Sequence, residues 1–287
     1  MANLKEIRIR ISSVESTMQI TSAMKMVSAA KLKRAQDAII QLRPYANKLT
    51  EMLVNLSASL DSADGNAFSK EREVKNILFV TITSNRGLCG GFNSNIIKRT
   101  SALIEEEYKN CNSSIISIGK KSSEYFSKNG FNVISIHDDL YNEITFEGVA
   151  KIAESIMNDF VLAKYDKVFL AYNQFKNAAT QIIMNENYLP VQTVNDESGK
   201  IGDYIFEPSK EEIVQELIPK SLKTQLFKAI LDSYAAEHGA RMTAMHKATD
   251  NANDLKDDLT LFYNKARQAA ITGEILEIVG GAEALNG

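Results

Sequence analysis

Apolar residues recur at alternating steps of three and four along the first sixty positions of the chain. The series 4, 7, 11, 14, 18, 21, 25, 28, 32, 35, 39, 42, 46, 49, 53, 56, 60 holds 14 apolar residues in 17 places. Its three exceptions, Thr21, Lys25 and Ser28, are consecutive in the series. A repeat of 3.5 residues sustained over this distance is a coiled-coil seam rather than the stripe of an ordinary amphipathic helix. Asn3 and Glu6 have the spacing of a capping box at its start. Pro44 removes one backbone donor and crowds the preceding turn, so it is expected to bend or divide the helix.

The other end of the chain repeats the pattern. Ser209 and Glu212 form a second capping box directly after Pro208. A 3,4 series then runs through Phe227, Leu231, Tyr234, His238, Arg241, Met245, Ala248, Ala252, Leu255, Leu259, Phe262, Ala266, Ala269, Gly273 and Leu276. Small alanines on this seam let two helices approach closely. Gly280-Gly281 is the expected stop.

Between the two ends the period changes. The runs 74–83, 113–119, 132–137 and 167–173 are short, apolar and rich in β-branched residues, as buried strands are. Helical stretches over 94–109, 120–129 and 146–163 separate them. This alternation predicts a parallel open sheet covered by helices. Residues 180–191 follow as an edge strand, where Pro190 is tolerated.

Lengths decide how these parts combine. A helix over 4–60 would extend ~85 Å and one over 209–279 about 105 Å at 1.5 Å per residue. A compact chain of this size has a radius of gyration of only ~19 Å. The predicted fold is therefore α/β: a Rossmann-like open-sheet domain, 74–205, inserted between long N- and C-terminal helices. Those helices, 1–60 and 209–287, pair as an antiparallel coiled coil. Much of that coil would still be uncovered, and a large uncovered apolar surface marks a partner site.

Composition sharpens this picture mainly through charge. The 287 residues carry a net charge of −3, which removes nucleic acid as the default partner. Residues 1–48, however, carry nine Lys or Arg against three Asp or Glu. The excess of six positive charges is confined to the first helix. It is either a solvated face or a surface that meets an acidic partner. Only four prolines are present, and 1–43 and 220–287 contain none, which permits long helices. Cys89 and Cys111 form neither a disulfide framework nor a zinc motif. No apolar run approaches the length of a membrane span, and the first residues, MANLKEIRIRI, lack a signal-peptide apolar region. A cytoplasmic protein is expected, meeting a membrane only through partners.

Candidate chemistry is sparse. The loop Ser84-Asn85-Arg86-Gly87-Leu88-Cys89-Gly90-Gly91-Phe92-Asn93 lies between a strand and a helix, where a doubly wound fold cradles phosphate. Its G-x-x-G-G spacing matches neither dinucleotide nor P-loop fingerprints and reads as a tight turn. His238 and His246 are eight apart rather than four, against a helical zinc pair. Asp250, Asp254, Asp257 and Asp258 read as a solvated helix face. No catalytic site, cofactor or metal is expected.

Three segments carry a family resemblance. They are EIRIRISSVESTMQITSAMKMVSAAKLKRAQ near the start, SNRGLCGGFN in the middle, and EHGARMTAMHKATDNANDL with YNKARQAAITGEILEIVGGAEAL at the end. Together they resemble the gamma subunits of bacterial F-type ATP synthases, over essentially the whole chain. The resemblance implies a non-catalytic rotor shaft turning inside a ring of alpha and beta subunits. Its α/β domain would be a foot near the ion-driven c-ring, with an epsilon subunit as a further partner. It implies a peripheral protein on the cytoplasmic face of the cell membrane. By matching position, it assigns Met24, Lys25, Arg267, Gln268 and Thr272 to a catch contact with the beta subunits. It assigns Arg241 and Met242 to helix coupling, and Tyr204 and Glu207 to the membrane-ring foot. The competing reading is an α/β enzyme for a nucleotide or another small molecule, with a helical oligomerisation arm.

Overall fold

A computed structural model describes residues 4–57, 67–191 and 210–286. The capping residues Asn3 and Ser209, together with Pro208, Tyr204 and Glu207, lie outside the described residues. The chain divides into two compact units: Ala29–Arg241, and Met1–Ser28 together with Met242–Gly287.

The larger unit is organised by the run NILFVTI, which forms β1, Asn76–Ile82, with every residue after Asn76 buried. Flanking it are β2 (Asn112–Ile118), β3 (Asn132–Ile136), β4 (Lys167–Phe175) and β5 (Gln181–Leu189), in the order β3-β2-β1-β4-β5. The first four strands are mutually parallel, and β5 is an antiparallel edge. Side chains alternate across a strand, so β1 serves two cores at once. Leu78, Val80 and Ile82 pack with Ile152, Ile156 and Phe160 of α4 (Phe146–Val161). The same core takes in Leu222, Leu226 and Ile230 of α5 (Lys210–Asn286). Ile77 and Phe79 face the opposite way, toward Ile97 of α2 (Phe92–Ala102) and Phe126 of α3 (Lys120–Lys128).

Every predicted strand and helix of this region is present. One difference is local. The helix expected over 94–109 loosens after Ala102 into a π-helical turn, Leu103–Glu107, closed by the Tyr108 N–H donating to the Leu103 carbonyl at 3.0 Å.

The first helix, α1, runs from Leu4 to Ser57 without division, so Pro44 does not break it. α5 likewise runs through Pro219 and past Gly280-Gly281 to Asn286. A proline costs one hydrogen bond, and the buried neighbours Ala46, Leu49, Ile218 and Leu222 hold the helices together across each gap. The two glycines lower helix propensity by about 1 kcal/mol each without forbidding the conformation.

The described part of the predicted α1 seam, Leu4 to Leu49, is buried or half-buried at every position. Within the larger unit Lys31 and Arg34 act electrostatically on Glu237 and Tyr234, so α1 runs antiparallel to α5 there. The smaller unit shows the same sense directly. Thr21 pairs with Thr249 at 2.8 Å, Glu15 with Lys256 at 3.0 Å, and Arg8 donates to the Tyr263 hydroxyl at 2.7 Å.

The α5 series departs from expectation after Ala252. Leu255 and Phe262 are half exposed, at 49% and 51%, and Lys256 and Tyr263 take the seam beside α1 instead. Their polar ends reach Glu15 and Arg8 while their apolar bodies cover the seam.

Candidate partner-contact surfaces and the glycine loop

The ligand crevice of a doubly wound sheet lies at the carboxyl ends of the strands where the order reverses, here between β1 and β4. In this chain the crevice is filled by its own residues. Cys89 and Phe92 from the glycine loop pack with Ala236 and Ala240 of α5 and with Phe175 of β4. The loop is held by Asn93, whose side-chain oxygen accepts from the Ser84 N–H at 2.9 Å and whose amide donates to the Cys89 sulfur at 3.2 Å. Leu88 and Gly90 both adopt positive φ, as a tight turn requires.

The anion-binding donors nearby are also engaged. At the start of α3 the Lys120, Lys121 and Ser122 N–H groups donate to the Asn85 side chain, the Ser84 carbonyl and the Thr83 hydroxyl. A helix N-terminus attracts phosphate through such free N–H groups, and these three already have partners. Burial raises the Cys89 thiol pKa, the opposite of what a nucleophile needs. Among the described residues no group of His, Cys, Asp and Glu is arranged to hold a metal ion. No helix among them is long and apolar enough to cross a membrane.

The five expected catch residues lie in two places. Met24 and Lys25 are half-buried on α1, beside the polar stretch of the seam. There the Thr21 hydroxyl meets Thr249, and the Ser28 hydroxyl donates back to the Met24 carbonyl at 2.8 Å. Arg267, Gln268 and Thr272 are exposed on α5, beyond the Arg8–Tyr263 pair. The antiparallel pairing sets position 25 opposite about position 246, so the two groups are ~30 Å apart along the coil at 1.5 Å per residue.

From Gln268 to Ala284 every residue of α5 except Gly273 is exposed, including Ile271, Ile275, Leu276, Ile278 and Val279. An apolar helix end of this size is a surface for a partner.

Arg241 faces the glycine loop of its own unit. Its guanidinium pairs with Glu237 at 2.6 Å and donates to the carbonyls of Arg86 and Gly87 at 3.1 and 3.3 Å. Met242 is half-buried and is the first residue of the α5 segment in the smaller unit. Sequence reasoning missed Glu237, Thr249 and Gly239. The i, i+4 spacing of Glu237 and Arg241 was visible, but their partners lie some 150 positions away.

An α/β domain whose ligand crevice is closed by its own helix, in a chain that also forms a two-helix coil with an uncovered apolar end, defines a partner-engaging subunit. The family model described as ATP synthase matches residues 3–285. The chain is 60% identical over 287 residues to the ATP synthase gamma chain of Christiangramia forsetii, covering all of both chains. It is 62% identical over 288 residues to that of Flavobacterium johnsoniae, again with full coverage. Among solved structures it is similar to a chain of the Tetrahymena thermophila mitochondrial ATP synthase central stalk and c-ring, at 26% identity and a TM-score of 0.60. That match covers 80% of this chain and 99% of the other. A chain of the Euglena gracilis mitochondrial ATP synthase shares the fold at a TM-score of 0.70, over 98% and 94% of the two chains. The chain belongs to the ATP synthase gamma-chain family. It is a non-catalytic rotor subunit of an F-type ATP synthase.

Proposed function

We propose that the chain carries torque between a membrane c-ring driven by ion flow and a catalytic ring of alpha and beta subunits, in ATP synthesis or hydrolysis. The observation that carries this reading is the apolar end of α5, which runs beyond the Arg8–Tyr263 pair and stays exposed among the described residues. Inside a ring of subunits such an end gains a partner and loses its exposure to water.

In this reading residues 1–60 with 209–287 act as the shaft and 74–205 as the foot. Met24 and Lys25 form one contact with the beta subunits, and Arg267, Gln268 and Thr272 a second, higher on the coil. The positive excess of the first helix suits acidic levers on those subunits. Arg241 and Met242 couple the shaft helices, Tyr204 and Glu207 meet the c-ring, and an epsilon subunit is a further partner. The chain then works at the cytoplasmic face of the cell membrane, held there by its partners. A nucleotide-binding enzyme is disfavoured because the crevice it would use is filled by Cys89, Phe92 and α5.

The test is purification from native membranes. Stoichiometric recovery with alpha and beta subunits is expected, and recovery of free monomer alone would overturn the proposal. Gln268→Leu or Thr272→Val should then lower coupled ATP turnover of the complex with the chain still folded. Unchanged turnover would remove those residues from the contact.

A further inference from the structure

The buried polar cluster around Arg241 serves neither exposed surface of the coil. Arg241 is only 8% exposed, and its fork spans Glu237 on its own helix and two successive loop carbonyls. The Arg86 carbonyl is itself fixed, because it also accepts from the Ser84 hydroxyl at 2.6 Å. Two residues back, Gly239 brings bare helix backbone against the β4–β5 turn. A Cβ there would stand 3.2 Å from the Ala178 Cα and 3.3 Å from the Phe175 ring. Beyond the core contacts of Leu222, Leu226 and Ile230, the helix thus meets the α/β domain at two further points: a cation seated on the loop after β1, and a close approach at the turn after β4. Beneath them Cys89, Phe92, Ala236 and Ala240 form an apolar floor.

Burying a guanidinium and a carboxylate is costly, and an apolar contact of similar volume would hold the helix as firmly. The ion pair adds geometry. A planar fork with several donors fixes direction at two acceptors, which a lysine ammonium does not. Burial raises the Glu237 pKa, while the charge and hydrogen bond of Arg241, and to a lesser degree Lys31 of α1, work against that rise and favour the ionised, pairing form.

We infer that Arg241 is a positioning residue, the latch that keeps the α/β domain in step with α5 when the helix is under load, with Glu237 orienting its guanidinium. The inference rests on the reading of the chain as a torque-carrying shaft.

The test uses the assembled complex carrying Arg241→Lys in a Cys111→Ser background, so that Cys89 is the only thiol of this chain. ATP hydrolysis should stay near the parent rate, while ATP-driven ion pumping per ATP falls several-fold. In parallel Cys89, 1% exposed in the intact chain, should react with a maleimide about tenfold faster as the loop opens locally. Gly239→Ala loosens the second point and should move both readouts the same way, which covers a failure of the lysine variant to assemble. A proportional loss of hydrolysis and pumping means that Arg241 only stabilises the fold, and overturns the latch. Unchanged pumping per ATP with Cys89 exposed also overturns it, as does lost coupling with Cys89 still shielded. If the parent chain does not assemble with alpha and beta subunits, the shaft reading itself fails; normal assembly with unchanged coupling sinks the latch alone.

Discussion

The Thr21 hydroxyl lies 2.8 Å from the Thr249 hydroxyl, across the seam between α1 and α5. Each also reaches a carbonyl of its own helix: Thr249 donates to Met245 at 2.8 Å, and Thr21 sits 3.1 Å from that of Met18. The consistent assignment has Thr249 donating to its helix and accepting from Thr21. The predicted polar interruption is therefore a matched pair rather than a flaw in the heptad. With Thr249→Val, the Thr21 proton turns to Met18 and no buried donor is orphaned, so a loss of only ~1 kcal/mol is expected. Thr21→Val together with Thr249→Val should recover most of that loss. A double-mutant cycle by urea unfolding of the full chain checks this, with a coupling of ~0.5–1.5 kcal/mol expected. Additive single losses would show that the hydroxyls do not act as a pair.

Gly119 offers a harsher test. Its φ is +102°, and a Cβ at this position would overlap the Thr83 carbonyl where β1 and β2 end. That carbonyl belongs to central backbone and cannot retreat without disturbing the Ser122–Thr83 contact at the start of α3. Gly119→Ala should therefore cost on the order of 2–4 kcal/mol, read as a lower denaturation midpoint with unchanged slope. Gly87→Ala, where a Cβ meets nothing within 4 Å, is the matched control and should be near neutral.

How much of this was legible in the sequence depended on whether a local pattern left one choice. The α1 seam did: at each step a single residue suits the 3,4 series, and all described members are buried or half-buried. The strands did too, because β-branched runs of five to nine residues between helical stretches admit one reading. After Ala252 two series compete. Leu255 and Phe262 are more apolar than Lys256 and Tyr263, yet the latter pair matches Glu15 and Arg8 on the other helix. That choice is made by a partner some 240 positions away. The glycine loop was legible as a turn, while its union with Arg241 was not, for the same reason. The separation of Met24 from Thr272 likewise follows from helix pairing and not from either motif.

Asp232 gives a prediction in pH. It is buried, its Oδ1 has no hydrogen-bond partner among the described residues, and burial raises its pKa to about 6. Lys228 on its own helix and Arg43 on α1 pull the pKa down, and Glu186 on β5 pushes it up, without cancelling burial. The folded state thus holds a proton that the unfolded chain, with its carboxyl near 3.8, releases first. Between these values stability falls as pH rises, and the penalty is complete above about pH 6. Asp232→Asn should remove it. At pH 7.5 the variant is expected to be more stable by ~1–2 kcal/mol, with the gap closing below pH 4. An equal gap at both pH values would mean that packing, not charge, sets the difference.

His238 responds in the opposite sense. Burial lowers its pKa to about 3, with the positive charges of Arg241 and Lys31 adding to the effect. Its Nδ1 faces the Arg241 guanidinium at 3.4 Å, and a guanidinium can only donate. Nδ1 therefore accepts, and the neutral ring, which meets the Tyr234 ring edge-on, carries its proton on Nε2, a buried atom with no hydrogen-bond partner among the described residues. Unfolding lets the imidazole ionise near pH 6.5, which the folded state refuses until about pH 3. Stability is fully present above pH 6.5 and declines as pH falls from there toward 3. His238→Gln keeps an acceptor of similar reach without a titrating group, so it should flatten this acid limb. At pH 7.5 the two chains should differ by less than ~1 kcal/mol, and at pH 5 the variant should be the more stable by ~1–2 kcal/mol. Chemical denaturation at the two pH values in an Asp232→Asn background isolates the effect. A variant that loses stability with acid as steeply as its parent would show that His238 is not the group that titrates.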